Sequence, residues 1–291
     1  LGGWPQYALN PGCSIWILKV FDDYYQYQRT SKSLEKAYYF FKETEKAIFK
    51  ILHLNSEGFY EFGFHASPEY FEDDKRSILK SQSNFELIML KYLYSKLIEY
   101  SKILNVSTSH YEEIIKKLAN YYTCEDGITM ISKDQKFDMS HRHFSHVLHY
   151  KNLEMVEPFD NLKNIKNDIN HIEKMGHENW VGFSPVEASG LHAYIFEGNE
   201  AYNNLKDFCN FFCHPNGFHM NQDYKKAGYN SYGPYVLTLE ANIGFLRSLS
   251  DMMLYCNKNK IVIFPAIPDK FIKEHNLISY EEAISNIHFP K

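Results

Sequence analysis

Four short stretches, far apart in the chain, carry its most reactive side chains: Ser67 to Asp73 (SPEYFED), Ser140 to His146 (SHRHFSH), Asn179 to Pro185 (NWVGFSP) and Thr238 to Gly244 (TLEANIG). Together they offer carboxylates, imidazoles, a guanidinium and aromatic rings. Those groups grip and cleave a glycosidic bond when one pocket gathers them. Thr238 reads as the N-cap of an amphipathic helix whose stripe runs through Phe245, Leu249, Met252 and Cys256. Glu240 then falls in the first turn, where the helix dipole favours the ionised carboxylate that a general base requires. Acids also occupy first turns for stability alone, and both readings of Glu240 stand.

His141, Arg142, His143 and His146 form the densest titratable cluster. Neutral imidazoles and a forked guanidinium donate directional hydrogen bonds to sugar hydroxyls and can hold a catalytic carboxylate in place. The alternative is a helix entry with satisfied, partly buried histidines. A metal is disfavoured, because H-x-H-x-x-H lacks the carboxylate of the zinc pattern and no Cys or acidic ligand sits at a suitable offset. Cys209, Cys213 and His214 likewise read as packing plus a loop histidine, and no cofactor is expected. Glu69 follows the stiffening Pro68 and stands beside Tyr70, an aromatic and a carboxylate that together suit a sugar ring. Glu72, Asp73 and Asp74 read as a solvated acidic loop. Trp180 is either an aromatic platform or a core tryptophan, and Asn221, Asp223 and Asn242 add amides and an acid. There is no nucleophile elbow, Walker loop or dinucleotide fingerprint, which argues against esterase, kinase and dehydrogenase chemistry.

Helices must position these groups. From Ser83 the residues Leu87, Leu90, Tyr94, Leu97, Ile98, Ser101 and Leu104 share one stripe, and Ser83 with Glu86 forms the S-x-x-E capping pattern. Ser109 and Glu112 repeat the device. Further helices are predicted over 15–27, 34–52, 162–175, 185–196, 201–212 and 240–255, with almost no strand pattern before Ile261 to Phe264. The spacing predicts an all-α stack of helical hairpins, without the fixed period of a regular solenoid. The helical catalytic region is expected over 1–260, and 261–291 opens a C-terminal extension with possible β-structure. Two long loops, 122–140 and 213–238, lead into the two most polar motifs, as functional loops often do.

The 291 residues, 44% of them hydrophobic, suffice for a sizeable core. A net charge of -5 without a dense basic block argues against a nucleic-acid or anionic-membrane partner. No apolar stretch has the length of a membrane span. Cys13, Cys124, Cys209, Cys213 and Cys256 lack a disulfide-scaffold spacing, and their odd number leaves at least one thiol unpaired in a monomer.

The ordered motifs resemble the catalytic domain of glycoside hydrolase family 95, which includes α-L-fucosidases and α-L-galactosidase-like enzymes. The likeness runs through His141-Arg142-His143-Phe144-Ser145-His146, Gly217-Phe218-His219 with Asn221 and Asp223, Thr238 to Gly244, and Ile263 to Pro268. Weaker matches are Trp4-Pro5, Ser67 to Tyr70, and Trp180 with Gly182 and Ser184. The resemblance implies an (α/α)6 barrel, a carbohydrate partner and an inverting mechanism whose two carboxyls stand roughly 6.5–9.5 Å apart. It implies Glu240 as general base, and a sugar-contacting or supporting shell of His141, Arg142, His143, His146, Trp180, Asn221, Asp223 and Asn242. It also implies an extracellular or periplasmic setting. Where the family carries its acid, near Ile131, this chain has Thr129-Met130-Ile131-Ser132, so Asp138 and Glu69 become the candidate proton donors. The family's asparagine pair, its N-terminal β-sandwich and its first barrel helices correspond to a segment before Leu1. Ala241 stands where many relatives carry glycine.

Overall fold

A computed structural model describes residues 10–231, 233, 236–256 and 261–275. Trp4 and Pro5 lie outside the described residues. The chain divides into two compact units, Leu1–Phe137 with Ser145–Met155, and Asp138–Phe144 with Val156–Lys291. The division passes through the histidine-rich segment itself. His141 to Phe144 belong to the second unit, whereas Ser145 and His146 belong to the first.

In the first unit the helices are α1 (Gly12–Trp16), α2 (Leu18–Gln28), α3 (Ser31–Phe49), α4 (Asn84–Ile103) and α5 (Ser109–Lys116). A short antiparallel hairpin, β1 (Leu52–Leu54) with β2 (Tyr60–Phe62), follows α3 and sets Leu52 opposite Phe62. Such three-residue strands are too short to show alternation, which is why the sequence does not announce them. Two helices begin with reciprocal caps. Thr30 Oγ1 accepts from the Ser33 amide at 3.1 Å while Ser33 Oγ accepts from the Thr30 amide at 3.2 Å. Ser83 Oγ accepts from the Glu86 amide at 3.1 Å and Glu86 Oε2 accepts from the Ser83 amide at 2.9 Å, as the S-x-x-E spacing predicts. The same expectation for Ser109 does not hold. Thr108 already has helical angles (φ -101, ψ -10), so Ser109 lies inside the first turn, and the Thr108 hydroxyl donates to Glu112 Oε1 at 3.0 Å.

Helix α4 is enclosed on more than one face. Ile88, Met89 and Leu93 are as fully buried as the predicted stripe residues Leu87, Leu90 and Leu97, which marks a central helix rather than a surface one. Each such side chain contributes about 1.5–3 kcal/mol on burial. A buried polar junction joins it to α2. Asp22 accepts from Tyr100 Oη at 2.6 Å, Tyr92 Oη at 2.8 Å and Lys96 Nζ at 3.0 Å. Burial alone would raise this carboxyl, but the Lys96 charge and the hydrogen bonds hold it below its ordinary range.

The second unit contains α6 (Pro158–Lys174), α7 (Phe183–Tyr194), α8 (Gly198–Asp207) running into a π-helical turn at Phe208–Phe212, α9 (Glu240–Met253) and α10 (Asp269–His275). Pro158 sits at the first turn of α6, where its missing amide hydrogen costs nothing. Helix α7 packs against both α8 and α9. Small residues let α9 come close: Ala241 and Ser248 are buried, and Ser248 Oγ donates to the Val186 carbonyl at 2.9 Å. The buried side of α9 therefore runs through Ala241, Ser248 and Met252, while Leu249 and Cys256 of the predicted stripe are exposed. Two short antiparallel pairs complete the unit, β3 (His219–Met220) with β4 (Leu237–Thr238), and β5 (Leu254–Cys256) with β6 (Ile261–Ile263). Strand β6, expected from Ile261 onward, turns back onto the end of α9. The Phe264 and Ala266 amides donate to the Met253 and Met252 carbonyls at 2.7 and 3.1 Å. A side chain at Gly198 would place its Cβ 2.5 Å from the Ala266 carbonyl oxygen, so only glycine admits this return.

Candidate active site

Thr238 is not the N-cap of α9. It lies in β4 opposite His219, and Leu239 takes the cap position without a side-chain bond. Pairing in the β3/β4 ladder extends the Thr238 backbone and redirects its hydroxyl. Thr238 Oγ1 stands 2.6 Å from His219 Nδ1 and donates to Asn221 Oδ1 at 3.4 Å. Glu240 opens α9 in the first turn, as expected, with its side chain 51% exposed. Its Oε1 lies 4.0 Å from His219 Nδ1.

His219 is fully buried, and burial pushes it down to about 4 against the weaker pull of the Glu240 charge. It is a neutral imidazole at any pH near 7. Among the described residues its other nitrogen, Nε2, has no hydrogen-bond partner, and the ring presses on the backbone at Gly182. A Cβ on Gly182 would sit 2.2 Å from Nε2 and 2.9 Å from the Met220 carbonyl oxygen. Asn242, one turn into α9 beside Glu240, accepts from the His219 amide at 2.9 Å and donates to the Gly217 carbonyl at 2.8 Å. Both ends of that amide thus hold the 217–219 turn.

Asp223 is almost wholly buried and builds its own loop, accepting from the Lys225 and Tyr229 amides at 3.1 Å each. Asn230 accepts from the Asp223 amide at 3.1 Å and donates to the Trp180 carbonyl at 2.5 Å. Trp180 is 0% exposed and leaves no ring face in water. It packs on Phe144 and on His177, with ring centroids at 5.5 and 4.1 Å.

The segment at 140–144 is tied to the same region. Ser140 Oγ donates to the Gly176 carbonyl at 2.8 Å and accepts from the Asn179 amide at 3.0 Å, and the Arg142 carbonyl accepts from Ser184 Oγ at 2.9 Å. His141 and Arg142 are buried, His143 is half-buried with its ring 5.8 Å from that of His141, and Asp138 is exposed. The second unit therefore connects the 140–144 segment, the Trp180 loop, the 217–230 loop and Glu240 through continuous packing and hydrogen bonds.

The other candidates belong to the first unit. Glu69 is half-buried and left-handed (φ 56), as are Phe71 (φ 65) and Glu72 (φ 52). Each such residue costs about 1–2 kcal/mol. Buried Tyr70 anchors the loop by donating to the Lys136 carbonyl at 3.2 Å, and Ser67 Oγ meets Ser145 Oγ at 2.7 Å. His146 stacks on Phe137 at 4.5 Å. Ile131 is completely buried, with its carbonyl accepting from the Asn84 amide at 2.8 Å. Glu86, read as a cap alone, has a second role: its carboxylate also lies 3.1 Å from His65 Nδ1 and accepts from the Ala66 amide at 3.0 Å. Burial raises this carboxyl even against those partners.

His219 falls inside a sequence motif that by itself gives it no role. Its importance rests on register opposite Thr238 and on contact with Gly182, which no local pattern reveals. Among the described residues no group of three or more His, Cys, Asp or Glu is arranged to hold a metal, and no helix is long and apolar enough to cross a membrane.

The described residues place the chain in a predominantly helical class of domain, in which a half-exposed carboxylate opens α9 beside a neutral imidazole and two amides. Comparison with known families gives the particular one. Residues 1–253 match the glycosyl hydrolase family 95 catalytic domain, and the chain belongs to that family, which makes it a glycoside hydrolase domain. Comparison with curated proteins returned no match.

Proposed function

We propose that this domain cleaves a terminal α-L-fucoside or a related α-linked sugar from oligosaccharide or polysaccharide by an inverting acid/base mechanism, on an (α/α)6 barrel. Glu240 is the general base that activates water, and Asp138 or Glu69 protonates the leaving oxygen. His141, Arg142, His143, His146, Asn221 and Asn242 bind the sugar or hold the groups that do, with Asp223 and Trp180 supporting them from the interior. The observation that carries this reading is Glu240 itself. It is half-exposed at the first turn of α9, and the backbone leading into it is held by the His219–Thr238 contact and by Asn242. Glu240→Gln is expected to lower hydrolysis of aryl α-L-fucosides or α-L-galactosides by roughly 10²–10⁴-fold while sugar binding survives. Unchanged turnover would remove Glu240 from the mechanism.

One observation favours a second reading, a carbohydrate-binding homologue without turnover. Thr129 to Ser132 supplies no carboxyl where the family resemblance expects the acid, and Ile131 is fully enclosed there. Release of sugar with inverted anomeric configuration by the wild-type protein supports the hydrolase reading. Sugar binding with no release under any aryl leaving group supports the second.

A further inference from the structure

Lys91 lies midway along α4, the enclosed helix of the first unit, and is itself half-buried. Its ammonium stands over the Tyr121 ring, 4.3 Å from the centroid. Tyr121 packs on His149 at 4.6 Å. Among the described residues no carboxylate pairs with Lys91, and burial pulls its ammonium below the ordinary value. Lys96, further along the same helix, shows the contrast. It bonds Asp22 at 3.0 Å and Glu99 at 3.4 Å, and those carboxylates raise it despite its burial.

His149 supplies a second, independent observation. It is 3% exposed, and its Nδ1 is buried with no hydrogen-bond partner among the described residues. Burial first, and then the Lys91 charge, push it down to about 3, so it is neutral and can carry its proton on Nδ1. A ring quadrupole offsets only part of the cost of desolvating an ammonium, and an unmade buried hydrogen bond adds to that cost. An oxygen acceptor with negative charge would meet both deficits.

We propose that Lys91, Tyr121 and His149 form a binding site for a carboxylate. One positive charge beside a neutral donor matches a monoanion better than a dianion, and with no acidic partner among the described residues a cation would have no countercharge here. The carboxylate comes either from a free small acid or from a uronic acid unit of a carbohydrate. The site does not depend on the hydrolase reading, because its occupancy is measured without turnover.

Acetate and glucuronate, titrated into the full chain at constant ionic strength with chloride as the reference, test it by the rise in Tm and by the Lys91 ammonium resonance. The expected result is saturable stabilisation of the wild-type protein, weakened about ten-fold or more in Lys91→Met, as loss of one charge-assisted contact requires. Partial weakening is expected in His149→Phe. Tighter binding of glucuronate than acetate assigns the site to a sugar acid, and equal binding assigns it to a free acid. Equal responses in wild type and Lys91→Met, or none beyond that of chloride, overturn the proposal. Should Lys91→Met fail to fold, the wild-type resonance decides: it shifts and saturates with acetate, or the site is refuted.

Discussion

Replacing Gly182 with alanine tests the packing behind Glu240. The added methyl would lie 2.2 Å from His219 Nε2, 2.4 Å from its Cδ2 and 2.9 Å from the Met220 carbonyl oxygen. Ordinary contact needs more than a further ångström, and His219 has nowhere to retreat. It is 0% exposed, its Nδ1 lies 2.6 Å from Thr238, and its amide is held by Asn242. Overpacking of this kind costs about 1–3 kcal/mol. Urea unfolding monitored by circular dichroism should give that loss through a lower midpoint at unchanged slope. The decisive comparison is a cycle with His219→Ala, which removes the atoms Gly182→Ala would strike. The double variant should be more stable than the sum of the single losses by about 1 kcal/mol or more. Independent losses would refute the claim that glycine at 182 exists to admit His219. A cost for Gly182→Ala below about 0.5 kcal/mol, the usual range for an unremarkable surface change, would refute it as well.

Two further predictions concern buried charge. His192 is bonded through Nδ1 to Glu197 at 2.9 Å and through Nε2 to Glu173 at 2.8 Å, a geometry that needs protons on both nitrogens. Burial opposes the charge, but the two carboxylates hold the imidazole above its ordinary 6.5. Its contribution to stability is therefore complete below about pH 6.5 and is lost as the pH rises through the elevated folded value. Urea midpoints measured from pH 6 to 9 should fall in the wild type and much less in His192→Gln; parallel curves would dismiss the clamp. Asp22→Asn leaves Lys96 buried without its closest countercharge and should cost about 3–5 kcal/mol, whereas a loss under about 1 kcal/mol in denaturant titration would show that Lys96 escapes to water.

Much of the helical organisation was legible because it is local. The periodic apolar positions of α4, the Ser83/Glu86 cap and the place of Glu240 in the first turn of α9 all follow from neighbours within four residues. At Thr238 a local signal met a non-local one, and the non-local one prevailed. Thr238 has the right chemistry for a cap, yet pairing with His219 draws it into a strand and hands the cap position to Leu239. Glu86 does cap its helix, but the fold also closes His65 and Ala66 around its carboxylate.

Taken alone, the residues determined a predominantly helical chain, the start of α4 and the ordered motifs of a glycoside hydrolase domain, since each depends on periodicity and composition over short spans. Only the tertiary structure decided that Trp180 and Asp223 are enclosed, that His219 is neutral against Gly182, and that among the described residues Lys91 has no carboxylate while Lys96 has two. Burial and pairing set those properties, and both depend on which distant segments the fold brings within a few ångströms.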